Sequence, residues 1–252
     1  MPCSLDVVFS AVHVDDRVVF DDGVISGMVE EVGHDEFRVR IIESPSRGGH
    51  LGAEKGINLP DTYLPVPLFT AADHPLLRVA AEMADMLSLS FLRHEDDVDL
   101  IRQELQRLGA HDLGLILKIE TTSAFERLPR ILLHAMRSER VGVMIARGDL
   151  AVEAGYERLA ELQEEMLWLC ESAHLPVIWA TEVLDQLAKT GQLSRAEVTD
   201  AAMSQRAECV MLNKGPHISA AIETLDDILQ RMAGHQRKKI PLLRALRSFA
   251  DV

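Results

Sequence analysis

The feature that most constrains this chain is a rhythm of short apolar runs. Each closes on charged, polar or glycine residues, and helix-period sequence separates each from the next. The runs are Met86–Phe91, Leu113–Leu117, Val141–Ile145, Pro176–Ala180 and Cys209–Leu212. Between them lie segments such as 156–173, where Leu159, Leu162, Met166, Leu169 and Ala173 recur on one helical face. Strands alternating with helices predict repeated strand–helix units on a parallel sheet. Such units close into a barrel only when about eight are present. The five runs therefore predict an α/β fold of partial TIM-type (β/α) barrel form, an open arc with unpaired edges.

The first residues have a different texture. Val18-Val19-Phe20, the turn-forming Asp21-Asp22-Gly23 and Val24-Ile25 read as strand, turn, strand. Phe37, Val39 and Ile41 alternate with Arg38 and Arg40, the period of a half-buried strand. Residues 44–68 are rich in Gly, Pro and Ser and read as loop and linker. The expected organisation is a small β unit with its linker over 1–65 and the partial barrel over 66–252, ending near Pro241–Val252 soon after a final helix.

Charge narrows the possible partners. Against 26 Lys and Arg stand 40 Asp and Glu, a net charge of −14 that repels a nucleic-acid backbone. No apolar run approaches the ~18 residues of a membrane span, and the start Met1–Asp6 has no basic region followed by a long apolar stretch. Cys3, Cys170 and Cys209 are isolated thiols without paired spacing, which points to a reducing, cytoplasmic setting without zinc or disulfides. Met83, Met86, Met144, Met166 and Met211 lie in apolar segments and read as core fillers, and Trp168 and Trp179 as packing residues. The His residues show no metal-ligand spacing.

In parallel α/β folds reactive groups gather where strands end. The ends of these runs carry Arg93, then Lys118 and Glu120, then Arg147-Gly148-Asp149, then Thr181 and Glu182, then Asn213-Lys214-Gly215. Lys118 and Glu120 are two apart, so a strand turns both to one face. With Asp149 one strand over, two carboxylates on neighbouring strand ends suit a hard cation such as Mg²⁺. Amides near Gly148, before the next helix, can hold a carboxylate or phosphate, and a Lys beside the cation can neutralise a phosphoryl group in transfer. A single Lys-x-Glu pair is ordinarily a solvated strand end; the order of these residues at successive strand ends is what points to a site. The equipment is that of phosphoryl transfer or of enolate chemistry.

At these positions the sequence resembles the pyruvate kinase family. The resemblance rests on Lys118-Ile119-Glu120, Val143–Glu153 with its Ala146-Arg147-Gly148-Asp149 core, Pro176–Thr181 and Ser194–Asp200. Upstream, Asp21–Ile25, Lys55–Pro60 and Ser90–Arg93 follow in the family's order, and the likeness runs from about residue 14 to 232. It implies a (β/α)₈ barrel with a small β lid inserted after the third strand. The implied reaction moves a phosphoryl group from phosphoenolpyruvate to ADP, giving pyruvate and ATP in glycolysis. Lys118 is then expected to stabilise the phosphoryl group, and Glu120 and Asp149 to hold Mg²⁺ (or Mn²⁺). Ala146, Arg147, Gly148 and Asp149 would receive the substrate, and Thr181 would lie by the enolate. The family's monovalent-cation ligands fall outside the matched segment, so K⁺ is given no site. The match begins inside the lid, which leaves the first three barrel strands and the regulatory domain unmatched. Asn213-Lys214-Gly215-Pro216 replaces the family's Ser-Gly-Glu-Thr, and Glu182 follows Thr181 where Gln is usual.

Two rival readings follow from the same residues. The unpaired edges of a five-strand arc suit a homo-oligomer, or an inactive homologue that pairs with a partner completing the barrel. A Mg²⁺-dependent lyase or aldolase acting on pyruvate-like acids would use the same carboxylates without needing Lys118.

Overall fold

Four antiparallel strands form the N-terminal unit of the computed structural model, which describes residues 3–46, 48–53, 55–237 and 240–241. Helix α1 (Val7–Ala11) precedes β1 (Arg17–Phe20), β2 (Ile25–Val32), β3 (Phe37–Glu43) and β4 (Ile57–Asn58), with the sheet in the order β3-β2-β1-β4. Val8, Val12, Val18, Phe20, Ile25, Val29 and Leu59 make its core. Asp21 and Asp22 turn the chain with φ of 52° and 54°, a conformation their short polar side chains tolerate, and Gly23 follows at 95°. Val24, expected in a strand, completes this turn and is exposed. The expected loop over 44–68 contributes β4, where Asn58 and Ile57 pair with Val19 and Phe20. In β3 the alternation leaves Phe37 and Val39 half-buried but Ile41 exposed, because β3 is an edge strand.

The rest of the chain alternates as its apolar rhythm predicts. Its elements are α2 (Asp73–Met83), β5 (Met86–Leu89), α3 (Glu95–Arg107), β6 (Gly114–Ile119), α4 (Thr122–Glu126), α5 (Leu128–Ala135), β7 (Val141–Ala146), α6 (Arg147–Ala154) and α7 (Tyr156–Ser172). Then come β8 (Val177–Val183), α8 (Asp185–Thr190), α9 (Arg195–Met203), a 3-10 turn at Ser204–Arg206, β9 (Cys209–Leu212) and α10 (Ile218–Met232). Two short strands, β10 (Gln236–Arg237) and β11 (Ile240–Pro241), pair with each other. The stretch after Pro241 lies outside the described residues.

All five predicted runs are strands of one parallel sheet, ordered β5-β6-β7-β8-β9 as in the chain. It is an α/β half-barrel. Every residue of the central β7 is buried. Leu117, Ile119, Ile145, Leu150, Leu162 and Met166 belong to the core it shares with its helices. Of the expected core fillers, Met144 and Met166 are buried and Met211 is half-buried, but Met83 and Met86 are 81% and 60% exposed. They sit on α2 and β5, at the open end of the arc, where the described residues provide no further layer. Trp179 is buried, whereas Trp168 lies on the outer face of α7 and is exposed. The loop after β9 runs so close to α8 that a Cβ on Gly215 would lie 2.2 Å from the Ala188 carbonyl oxygen. Among the described residues no helix is long and apolar enough to cross a membrane.

Candidate active site

Parallel pairing brings the C-terminal ends of the five strands to one side of the sheet, and Lys118, Glu120 and Asp149 come together there. At the end of β6, Ile119 faces the core while Lys118 and Glu120 share the opposite face, as period-2 geometry requires. Lys118 Nζ lies 2.6 Å from Glu120 Oε1 and donates to Ser90 Oγ at 2.9 Å. Glu120 is only 1% exposed and also accepts the Phe91 N–H at 2.5 Å. Phe91 reaches this position with φ of 51°. A carboxylate this buried has to be paired and hydrogen-bonded, and here it is both.

Asp149 sits in the first turn of α6, one strand over. Burial pushes its carboxyl pKa up, and the charges of Glu120 and Asp22 add to the rise; Lys118 and a hydrogen bond from Asn58 oppose it. Asp22 and Asn58 come from the N-terminal sheet. One helical turn further, Glu153 is pushed up to about 7 by burial and by Asp149, with Arg17 opposing. Arg17 makes a two-pronged contact with Asp61 at 2.7 and 2.8 Å, and its hydrogen bonds hold that carboxyl below its ordinary range. Asp149 thus has three further acids around it, Asp22, Glu120 and Glu153, with Lys118 offsetting their charge at Asp149 and Arg17 at Glu153.

Such a concentration of oxygen donors suits a hard divalent cation. Glu120 and Asp149 supply two carboxylates; among the described residues no group of three or more His, Cys, Asp and Glu side chains forms a self-sufficient metal site.

Beside the acids, the N-terminus of α6 opens onto a cleft of about 250 Å³ whose walls include Asp22, Gly148, Tyr156, Thr181 and Glu182. The Gly148 N–H donates to Thr181 Oγ1 at 2.8 Å. Ala146, the last residue of β7, is buried beneath. The Arg147 side chain turns into the fold, donating to the carbonyls of Ala180 and Thr181 and pairing with Asp200. A larger cleft of about 680 Å³ lies at the other ends of β6 and β7, where Arg102, Arg137 and Arg140 alternate with Asp99, Asp112 and Glu139.

The structure therefore brings Lys118, Glu120 and Asp149 together and sets Gly148 and Thr181 in contact beside them. It directs the Arg147 guanidinium to the β8 backbone. Sequence reasoning assigned no role to Asp22, Asn58, Ser90 or Glu153. The signal for the first three was present in the segments Asp21–Ile25, Lys55–Pro60 and Ser90–Arg93. Lys55 Nζ to Asp21 Oδ1 at 2.7 Å, with Asp21 N–H bonded to the Gly56 carbonyl, ties the first two of these segments together.

Comparison with known proteins places the chain among a known family. Residues 1–217 match the family described as pyruvate kinase, barrel domain. Human pyruvate kinase PKLR is 32% identical over 209 residues, covering 82% of this chain and 35% of the relative. The pyruvate kinase of Mycobacterium intracellulare is 30% identical over 246 residues, covering 95% and 50%. That of Hypocrea jecorina is 34% identical over 202 residues, covering 78% and 36%. The chain spans half or less of the length of these relatives.

Proposed function

This chain belongs to the pyruvate kinase family, and from that premise we propose that its strand-end site transfers the phosphoryl group of phosphoenolpyruvate to ADP. The observation that carries the reading is the meeting of Lys118, Glu120 and Asp149 on adjacent parallel strand ends, next to a helix N-terminus. The P–O bond to the enolate breaks as a bond forms from phosphorus to a terminal oxygen of ADP, and the enolate takes a proton at carbon to become pyruvate.

Negative charge shifts across the phosphoryl oxygens during this transfer, and positioned cations are the main catalytic resource. Lys118 supplies one, and its ion pair with Glu120 and hydrogen bond to Ser90 hold the ammonium in place. Glu120 and Asp149 would hold Mg²⁺, which neutralises phosphoryl and enolate charge when bound. The substrate carboxylate would lie against the Gly148 and Asp149 amides at the α6 N-terminus. It would take over the Gly148 N–H now bonded to Thr181, freeing that hydroxyl beside the enolate and the path of its proton. Asp22 and Asn58 would bring the N-terminal unit, residues 1–65, over the barrel unit, residues 66–252, as a lid contributing to the same site.

A lactate-dehydrogenase-coupled assay with phosphoenolpyruvate, ADP and Mg²⁺ tests this. We expect a rate that Lys118→Met lowers at least ~10³-fold, the scale of removing a positioned transition-state cation. The absence of any Lys118-dependent rate overturns the reading for this chain.

One observation favours a second reading, in which a further polypeptide or a second copy pairs with the arc. Leu76, Val79 and Met83 on α2 and Met86 on β5 are exposed large apolar residues at a sheet edge that is unpaired among the described residues. Light scattering over a concentration series, with and without Met83→Glu/Met86→Glu, tests it. A mass that stays monomeric in both chains counts against self-pairing.

A further inference from the structure

The segment Ser194–Asp200 lies on α9, across the cleft from the acids, and the proposed chemistry assigns it no task. Its hydrogen bonds show what it holds. Ser194 and Glu197 cap α9 reciprocally: the Glu197 N–H donates to Ser194 Oγ at 3.2 Å and the Ser194 N–H to Glu197 Oε2 at 3.0 Å. The other Glu197 oxygen, Oε1, leaves this box and accepts the N–H groups of Gln186 and Leu187, at 2.7 and 3.3 Å, in the first turn of α8.

Three residues on, and so on the same helical face, Asp200 receives the guanidinium of Arg147, with Nη2 to Oδ2 at 2.9 Å, and the Trp179 indole N–H at 3.3 Å. The Arg147 side chain is only 10% exposed. Its Nε donates to the Ala180 carbonyl at 2.9 Å, its Nη2 to the Thr181 carbonyl at 2.5 Å, and its Cζ lies over the Trp179 ring, 4.8 Å from the ring centre.

Between these two points of attachment the backbone is unusual. Thr181, Glu182 and Leu184 have φ of 67°, 59° and 50°. Left-handed backbone is unfavourable for non-glycine residues and an outlier for a β-branched threonine, so it persists only where the surroundings over-determine it. We infer that Arg147, Glu197 and Asp200 form a clamp that holds Thr181, Glu182 and Leu184 in this left-handed backbone at the end of β8. Arg147 is then a positioning residue, acting through the β8 backbone to set Thr181 Oγ1 against the Gly148 amide. The clamp's bearing on turnover rests on the proposed phosphoryl transfer; the clamp itself does not.

Hydrogen–deuterium exchange on the full chain tests the clamp without any substrate. In Asp200→Asn and, separately, Glu197→Gln, amides 181–187 should exchange at least ~10-fold faster than in the parent, while β6 and β7 keep their protection. Unchanged exchange at 181–187 in both variants overturns the clamp. So does a rise spread equally over β6, β7 and β8, because the contacts would then serve general stability. A second arm separates positioning from substrate contact by steady-state kinetics of Arg147→Lys. Positioning predicts a lower kcat with KM for phosphoenolpyruvate within about twofold of the parent; a KM raised ~10-fold at unchanged kcat would make Arg147 a substrate ligand and overturn the positioning role. If the parent chain shows no turnover, the proposed function fails, and the exchange data still decide the clamp.

Discussion

Glu153 is the residue where burial and charge pull hardest against ionisation. Its carboxyl is pushed up to about 7 by burial, then by Asp149, against an ordinary value of 4.5. Between these two values the folded chain keeps a proton that the unfolded chain has released. Stability from this group is therefore fully present at about pH 4, falls as pH rises through that window, and stays low above about pH 7. Glu153→Gln should remove the decline. We expect thermal melts of the variant to match the parent near pH 4 and to exceed it at pH 8, by about 2 kcal/mol after allowance for its partial solvation. A parent-like melting temperature at pH 8 would contradict this account of the site's acids. The sequence displayed some of this chemistry. Lys118 and Glu120 were legible because two residues on one strand obey a fixed period. The approach of Asp22 and Asn58 to Asp149, and of Arg17 to Glu153, was not, since it depends on how two separately cored units sit together.

At the scale of elements, the five parallel strands were legible as apolar runs with polar ends, and each run became a strand in the expected order. Periodicity shows which residues share a face; it does not show whether that face meets a neighbour. This is why Met83, Met86 and Trp168 read as packed and are exposed. It is also why β4, two residues long inside a Gly- and Pro-rich stretch, escaped notice. Two substitutions probe the elements themselves. Leu117→Ala, at a fully buried position of β6, should lower stability by about 2–5 kcal/mol in urea unfolding. Ser194→Ala removes one half of the α9 capping box and should cost about 1 kcal/mol. Equal small losses in both would mean that the β6 core is looser than its burial implies.

Among the described residues, the molecule joins a small four-stranded antiparallel sheet to a parallel arc whose end strands, β5 and β9, each pair on one side. The junction is narrow: a Cβ on Gly23, in the turn after β1, would meet Tyr156 Oη at 3.0 Å and Val152 at 3.6 Å, and the glycine has φ of 95°. Gly23→Ala should therefore strain the turn and loosen the contact between the two units while leaving each core intact. We expect limited proteolysis to cut the linker around residues 60–70 faster in this variant, with an unchanged fragment containing β5–β9; equal cleavage rates would show that the junction lies elsewhere.

The arc's strand order carries a consequence for how the chain reaches its fold. Each of β6 to β9 pairs with the strand that precedes it in sequence. Only β5 has to wait for a partner made later, β6; from that pair on the sheet can lengthen by one strand–helix unit at a time as the polypeptide emerges, with each new unit docking on an edge already formed.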